Sequence, residues 1–412
     1  MATVIIGGGQ AGLQVADSLR TGGYQEPITV IAEDAARPYQ RPPLSKEFLQ
    51  SAQEAEALPL RTEEFFADQD ITLLHGTAAT RIDRQRQRIH LTDGQQLPYT
   101  HLVLTTGARN RQLTVPGSDL PGVHGLRTLE DAQRLNAAVH DGADVVVIGA
   151  GFIGLECASA LLERGCRVTV LEFAPRPMGR ALSPAMGTWF AQSHRDRGML
   201  LQLDEGIERF EQADANGKIT AVSTAGRTYP ADVVIVGVGV QPNDHLAAEA
   251  GLETQNGIVV DANLRTSDPR IFAAGDCAQF PSKHAGGPAR LESVQNATAQ
   301  ARHVAATILG LAEDYTALPW FWSVQGPYRL QIAGLVMPDD EHTIIGDPSA
   351  GKFSVLAFRD GKLAAVESVN SPGEHMAARH LLETSAPLSR REAEQAGFSL
   401  RKARKAAVQV TS

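Results

Sequence analysis

Cysteine is scarce in this sequence: three residues in 412, Cys157, Cys166 and Cys277, none in a CxxC pair. That scarcity excludes a disulfide-stapled scaffold and a cysteine-held metal cluster, and it suits a reducing cytoplasm. Long apolar runs are missing too. None approaches the roughly 20 residues a bilayer span needs, and the first residues lack the basic lead-in of a secretory signal, so no membrane association is expected. The twelve histidines form neither HExxH nor HxxxH, so each is expected to be structural or exposed and no metal site is expected. Basic residues do not outnumber acidic ones, 38 against 47 for a net charge of −9. General nucleic-acid binding is thereby excluded, while a local basic patch remains able to meet an acidic partner. The run Arg401, Lys402, Arg404, Lys405 is such a patch, or else a solvated tail.

What is present is a repeat. VIIGGGQAGLQVADSL at Val4–Leu19 and VVIGAGFIGLECASAL at Val146–Leu161 share one design: an apolar run, GxGxxG, then a helical pattern. In each copy the first glycine (Gly7, Gly149) permits a tight turn. The second (Gly9, Gly151) lets a pyrophosphate approach the backbone, and the third (Gly12, Gly154) lets helix and strand pack. The free N–H groups of the helix N-terminus meet the phosphate charge. Each copy also carries its second strand and an acid at its end. Ile28–Ala32 leads to Glu33, and Arg167–Leu171 leads to Glu172. Such an acid accepts hydrogen bonds from ribose hydroxyls. Two complete units point to two dinucleotides.

At this length, two or three domains are expected. His101–Gly107, Ala231–Val240 and Arg270–Asp276 read as strands, and Ala289–Leu309 as a helix. From Pro319 the texture changes to short β-type runs: Arg329–Leu335, His342–Ile345, and Lys352–Ala357 with Lys362–Val369, the last two flanking an Asp360-Gly361 hairpin signal. The expected architecture is α/β. A discontinuous first dinucleotide domain covers 1–113 and 245–318, a second covers 114–244 and looks inserted into it, and 319–412 form a C-terminal α+β domain.

Beyond the glycine motifs the chain carries RPYQRPPLSK at Arg37–Lys46, TTGAR at Thr105–Arg109, LRTLEDA at Leu126–Ala132, AAGDCA at Ala273–Ala278, LESVQNA at Leu291–Ala297 and PWFWS at Pro319–Ser323. With these blocks it resembles the flavoprotein reductases of glutathione-reductase-like fold, which hold two Rossmann-like domains. More narrowly, it is similar to the FAD-dependent NADH:ferredoxin reductases of bacterial oxygenase systems, the putidaredoxin reductase and biphenyl dioxygenase reductase group. RPPLSK and PWFWS are the specific blocks. The resemblance implies FAD at Gly7, Gly9, Ala11 and Gly12, with Glu33 on its adenosine ribose. It brings Arg41 and Lys46 toward flavin and pyrophosphate, Ala79 to the adenine, and Arg127, Asp276 and Val294 along the flavin. It implies NAD(H) at Gly149, Gly151, Ile153, Gly154 and Glu172, bordered by Gly237 and Gly239. Two departures stand out: Thr105 where alanine is commoner, and Val324 where the group often has aspartate.

The implied reaction runs from NADH through FAD to a two-iron (2Fe–2S) ferredoxin serving a cytochrome P450 or a ring dioxygenase; the alternative is another acceptor such as rubredoxin or a quinone. The cofactors carry the difficult chemistry. Lys46 and Glu156 are the catalytic candidates: Lys46 to tune the flavin, unless it is a surface lysine opening a helix, and Glu156 to pair with Lys46 or hold the nicotinamide amide, unless it only meets the helix dipole. Trp320 and Trp322 lie near the flavin or share a core face. A disulfide reductase is disfavoured, since Ser45 sits in RPPLSK and no cysteine precedes Cys157. A non-enzymatic redox sensor is the remaining class.

Overall fold

The computed structural model describes residues 2–50, 55, 58–212 and 218–411. The chain divides into two compact units, one of Met1–Gln40, Glu56–Arg109 and Val240–Pro319, the other of Arg41–Ala55, Asn110–Gly239 and Trp320–Ser412.

The first unit is built on a five-stranded parallel sheet. Its spatial order is Ile271–Ala273, His101–Leu104, Thr3–Ile6, Ile28–Ala32, Ile71–His75. Thr3–Ile6 is buried along its whole length, as a strand covered on both faces must be, and its sequence accordingly runs apolar without alternation. The helix Gln10–Thr21 covers the sheet with Ala11, Leu13, Val15, Ala16 and Leu19 and packs beside Val294–Ile308. A three-stranded antiparallel layer, Ala79–Asp83, Arg88–Leu91 and Gln96–Pro98, joins the same core through Ile82, Ile89 and Leu91.

The second unit repeats the parallel design in the order Leu200–Gln202, Arg167–Leu171, Asp144–Ile148, Val233–Val236, Val123–Gly125. The antiparallel strands Ile207–Gln212, Ile219–Ser223 and Thr228–Ala231 close a smaller core around Phe210, Ile219 and Val234. A five-stranded antiparallel sheet follows, ordered Trp320–Gln325, Tyr328–Gly334, Lys362–Val369, Lys352–Arg359, Glu341–Asp347. Helices Pro372–Glu383 and Leu400–Thr411 cover it. Its central hairpin turns at Asp360 and Gly361, with φ of +51° and +73°, the pair of positive values a two-residue turn of this hand requires.

Several sequence expectations shift. Ala289–Leu309 is not one helix: Gly287–Ala289 is a strand, and the helix starts at Val294 after Ser293, whose Oγ caps Asn296 N. Hydroxyl capping outcompetes the apolar periodicity that runs on upstream. The expected strand Ala231–Val240 is broken: Ala231 ends Thr228–Ala231, Val233–Val236 joins the parallel sheet, and Val240 opens Val240–Pro242 after Gly239 at φ +100°. Lys46 does not open a helix; it follows the short 3₁₀ turn Pro42–Ser45. The basic run near the C-terminus is no loose tail: Arg401, Lys402, Arg404 and Lys405 are the exposed face of the last helix, whose Leu400, Ala403 and Ala407 pack inward.

Candidate functional site

In the first unit the strand Thr3–Ile6 runs into Gly7 at φ +117°, where any side chain is strained. A Cβ there would lie 2.1 Å from Thr105 O, and one on Gly12 would lie 1.9 Å from Gly7 O. A Cβ on Gly9 would meet nothing within 4 Å. The first and third glycines are therefore fixed by packing, while the second leaves a vacant approach to the N-terminus of Gln10–Thr21. Gly9 is that helix's N-cap and has no side chain to compete for its N–H groups. Thr105 closes the turn: its buried hydroxyl donates to Gly7 O at 2.9 Å and to Ile6 O at 3.1 Å. Glu33 ends Ile28–Ala32, exposed and without a hydrogen bond among the described residues. Ala11 is buried in the helix, Ala79 opens its strand half-buried, Asp276 is half-buried, and Val294 is the first residue of its helix. The residues that resemblance assigns to FAD thus divide: these belong to the first unit, whereas Arg41, Lys46 and Arg127 belong to the second.

The second unit repeats the cradle. Gly149 takes φ +99°, and a Cβ on it would lie 2.5 Å from Gly237 O. On Gly154 a Cβ would lie 2.1 Å from Gly149 O, while on Gly151 the nearest atom would be 4.0 Å away. In both cradles a backbone carbonyl, of Thr105 or of Gly237, faces the first glycine; the first cradle adds the Thr105 hydroxyl. Glu172 is held rather than free: Ala150 N donates to its Oε2 at 2.6 Å and Ala174 N to its Oε1 at 2.8 Å. Each oxygen keeps a lone pair for a ribose hydroxyl. Ile153, in the helix's first turn, is 47% exposed. Gly239 stands beside Arg180, whose Nη2 would lie 3.3 Å from an added Cβ. Both cradles fit a dinucleotide: closed where the turn must be tight, open where a phosphate must come close.

The second unit also holds a buried ion pair. Lys46 Nζ sits 2.5 Å from Glu156 Oε2, with side chains 13% and 3% exposed. Ser45 Oγ donates to the same carboxylate oxygen at 2.6 Å, and Lys46 Nζ also donates to Pro42 O at 3.0 Å. Removing one partner of a buried pair strands the other, at about 3–5 kcal/mol. The surface-lysine reading of Lys46 and the dipole-only reading of Glu156 therefore both give way to a paired one. The residue that sequence reasoning missed is Ser323, whose Oγ donates to Glu156 Oε1 at 2.7 Å. Its signal was its place in PWFWS, beside the better-noticed tryptophans. Trp320 is half-buried with Arg379 Cζ 4.4 Å above its ring and Trp322 6.2 Å away.

All three cysteines are free and buried, and burial pushes the Cys157 and Cys277 thiols up, away from the reactive thiolate. Among the described residues no group of histidines, cysteines and acids is arranged for a metal ion, and no helix is long and apolar enough to cross a membrane.

The profile of the pyridine nucleotide-disulphide oxidoreductase family matches residues 1–301, and that of the reductase C-terminal domain matches residues 320–404. The chain belongs to this oxidoreductase family. It is therefore an oxidoreductase that works with FAD and a pyridine nucleotide. The reductase is 47% identical to rhodocoxin reductase of Rhodococcus erythropolis over 97% of this chain and 94% of that protein. Among solved structures, the ferredoxin reductase for the CYP199A2 system of Rhodopseudomonas palustris superposes with a TM-score of 0.94 at 43% identity, covering 98% of this chain and 99% of that one. The reductase in the covalent putidaredoxin reductase–putidaredoxin complex does so with a TM-score of 0.95 at 36% identity, covering 99% of each chain. The family's name includes disulphide chemistry, but this reductase has Ser45 in RPPLSK and keeps its cysteines buried.

Proposed function

We propose that this reductase draws electrons from NADH through FAD and delivers them to a 2Fe–2S ferredoxin that serves a cytochrome P450 or an aromatic-ring dioxygenase, in the cytoplasm. The observation that carries the reading is the pair of glycine cradles, one in each compact unit, each with its acid. FAD, when bound, accepts a two-electron equivalent and releases electrons singly. The protein's residues supply position and charge. In this reading Gly7, Gly9, Ala11, Gly12, Glu33 and Ala79 hold FAD, with Arg41, Arg127, Asp276 and Val294 along it. Gly149, Gly151, Ile153, Gly154, Glu172, Gly237 and Gly239 hold NADH. Lys46 places an ammonium that favours the reduced flavin's negative charge, Glu156 anchors that ammonium and offers an acceptor to the nicotinamide amide, and Trp320 stands near the flavin. Glu172 selects NADH, because the 2′-phosphate of NADPH would bring like charge against its carboxylate.

The test is cytochrome c reduction by FAD-loaded protein with NADH and a panel of purified 2Fe–2S ferredoxins. Turnover that requires a ferredoxin is the expected result. Equal turnover without one, or turnover with rubredoxin or a quinone alone, would assign another acceptor.

A further inference from the structure

In the strand Trp320–Gln325, Ser323 and Gln325 are fully buried while Val324 between them is not. The two inward side chains belong to one line of hydrogen bonds. His194 Nε2 donates to Gln325 Oε1 at 2.8 Å. Gln325 Nε2 donates to Ser323 Oγ at 3.1 Å, and also reaches Met178 Sδ at 3.3 Å. Ser323 Oγ donates to Glu156 Oε1, and Glu156 Oε2 receives Lys46 and Ser45. His194, Gln325 and Ser323 are 0% exposed and Glu156 is 3% exposed.

The polarity of this line is single-valued. A carboxylate only accepts, so Ser323 must give its one proton to Glu156, and its lone pairs are then free to receive Gln325. The amide oxygen of Gln325 needs a donor, which fixes the proton of His194 on Nε2. Burial drives the His194 imidazole down to about 4, so it is neutral, and its Nδ1 has no partner among the described residues. Every donor points toward the carboxylate and none competes for its own acceptor. Buried polar groups without such pairing cost free energy, so an apolar strand face would pack at less cost. The line lies on the strand whose Ser323 hydrogen-bonds Glu156.

We propose that Ser323 and Gln325 are positioning residues that fix the plane of the Glu156 carboxylate and, through it, the Lys46 ammonium. Oε2 is filled by Lys46 and Ser45, and Ser323 takes one site on Oε1, which leaves a single acceptor direction on Glu156. Without Ser323 the carboxylate turns about its bond and keeps more unneutralised negative charge beside Lys46. This rests on the reading of Lys46 as the flavin-tuning group. Val324 faces away from the line and has no part in it.

The experiment is the flavin midpoint potential of full-length, FAD-loaded protein, measured by dye equilibration for wild type and for Lys46→Ala, Ser323→Ala, Ser323→Thr and Gln325→Met, with thermal midpoint and flavin content recorded beside it. Lys46→Ala is expected to lower the potential. Ser323→Ala should shift it in the same direction by about half as much, since it weakens rather than removes the ammonium's effect. Ser323→Thr, which keeps the hydroxyl, should restore the wild-type value, and Gln325→Met should give a smaller shift of the same sign. Gln325→Met also stands in if Ser323→Ala loses flavin on purification. A Lys46→Ala shift with wild-type potentials in Ser323→Ala and Gln325→Met would overturn the proposal alone, leaving those residues a purely structural part. No shift in Lys46→Ala would overturn the tuning role of Lys46 and this proposal together.

Discussion

The two units share one dinucleotide-binding design and differ in what they bury. Among the described residues, the buried polar side chains of the first unit are neutral: Thr3, Thr105, Thr266, Gln279, Ser282, Asn296, Gln300 and Thr307. Every buried carboxyl group and imidazole lies in the second unit, at Glu156, His194, Glu205, Asp340, Glu367 and His375. The acids of the two cradles differ the same way. Glu33 is exposed and unbound, whereas Glu172 is pinned to two backbone N–H groups. A tightly held cofactor can supply the order its site lacks, but a coenzyme that exchanges each turnover gains from a site already formed. In the proposed reading the first unit is a holder, and the second is where buried charge is placed.

The glycines test the shared part of that comparison and carry the largest effects. Gly12→Ala and Gly154→Ala each drive a methyl into a carbonyl oxygen, an overpacking that costs on the order of 3 kcal/mol or more. Each should sharply reduce folded, flavin-bearing protein. Gly9→Ala and Gly151→Ala have room for the methyl, so they should fold normally and lose dinucleotide affinity instead. Thermal unfolding with flavin content separates the two outcomes, and equal damage at all four positions would refute the division of roles.

Glu367 tests the difference in burial. It is fully buried, accepting from Ser183 N at 2.9 Å and from Ser183 Oγ, and burial pushes its carboxyl up to about 7 from an ordinary 4.5. Between those values the folded state holds a proton that the unfolded state has released. Stability is therefore lost as pH rises from about 4.5 to 7 and then levels off, by up to roughly 3 kcal/mol. Glu367→Gln should gain stability over wild type at pH 8 and little at pH 5, as read by urea unfolding. A constant difference between the two would remove this group from the pH response.

Glu172→Ala and Glu33→Ala set the two acids side by side. Losing a charge-assisted hydrogen bond costs about 1.5–3 kcal/mol, so the wild-type preference for NADH over NADPH should be roughly a hundredfold in kcat/KM. Glu172→Ala should erase most of it and Glu33→Ala none. The smallest effect belongs to Thr105→Val, which removes the hydroxyl from Gly7 O and should loosen FAD by about 1 kcal/mol without altering NADH affinity. A change in NADH affinity would mean that the first cradle is not the flavin's.

Much of this comparison was legible in the sequence, because the glycines and the strand-end acids answer to local rules. Gly7, Gly12, Gly149 and Gly154 are required by contacts within one turn and its neighbouring strand, and the apolar runs before them are what a doubly covered parallel strand needs. The antiparallel layers such as Ala79–Asp83 with Arg88–Leu91 went unread, since half-exposed short strands such as Thr80-Arg81 show little apolar signal. The line through Ser323, Gln325 and His194 was invisible for another reason. Its partners lie 167 and 131 residues apart in the chain, and a buried serine is spelled like an exposed one. Lys46 with Glu156 was within reach only through resemblance, at a separation of 110 residues.

The measurement that bears most directly on the assigned electron path is an anaerobic titration of the FAD-loaded protein. NADH should bleach the flavin absorbance, and an added 2Fe–2S ferredoxin should restore it while itself becoming reduced, with one NADH consumed for every two ferredoxins. Flavin that bleaches with NADH but passes nothing to any 2Fe–2S ferredoxin, while rubredoxin or a quinone reoxidises it, would contradict the account.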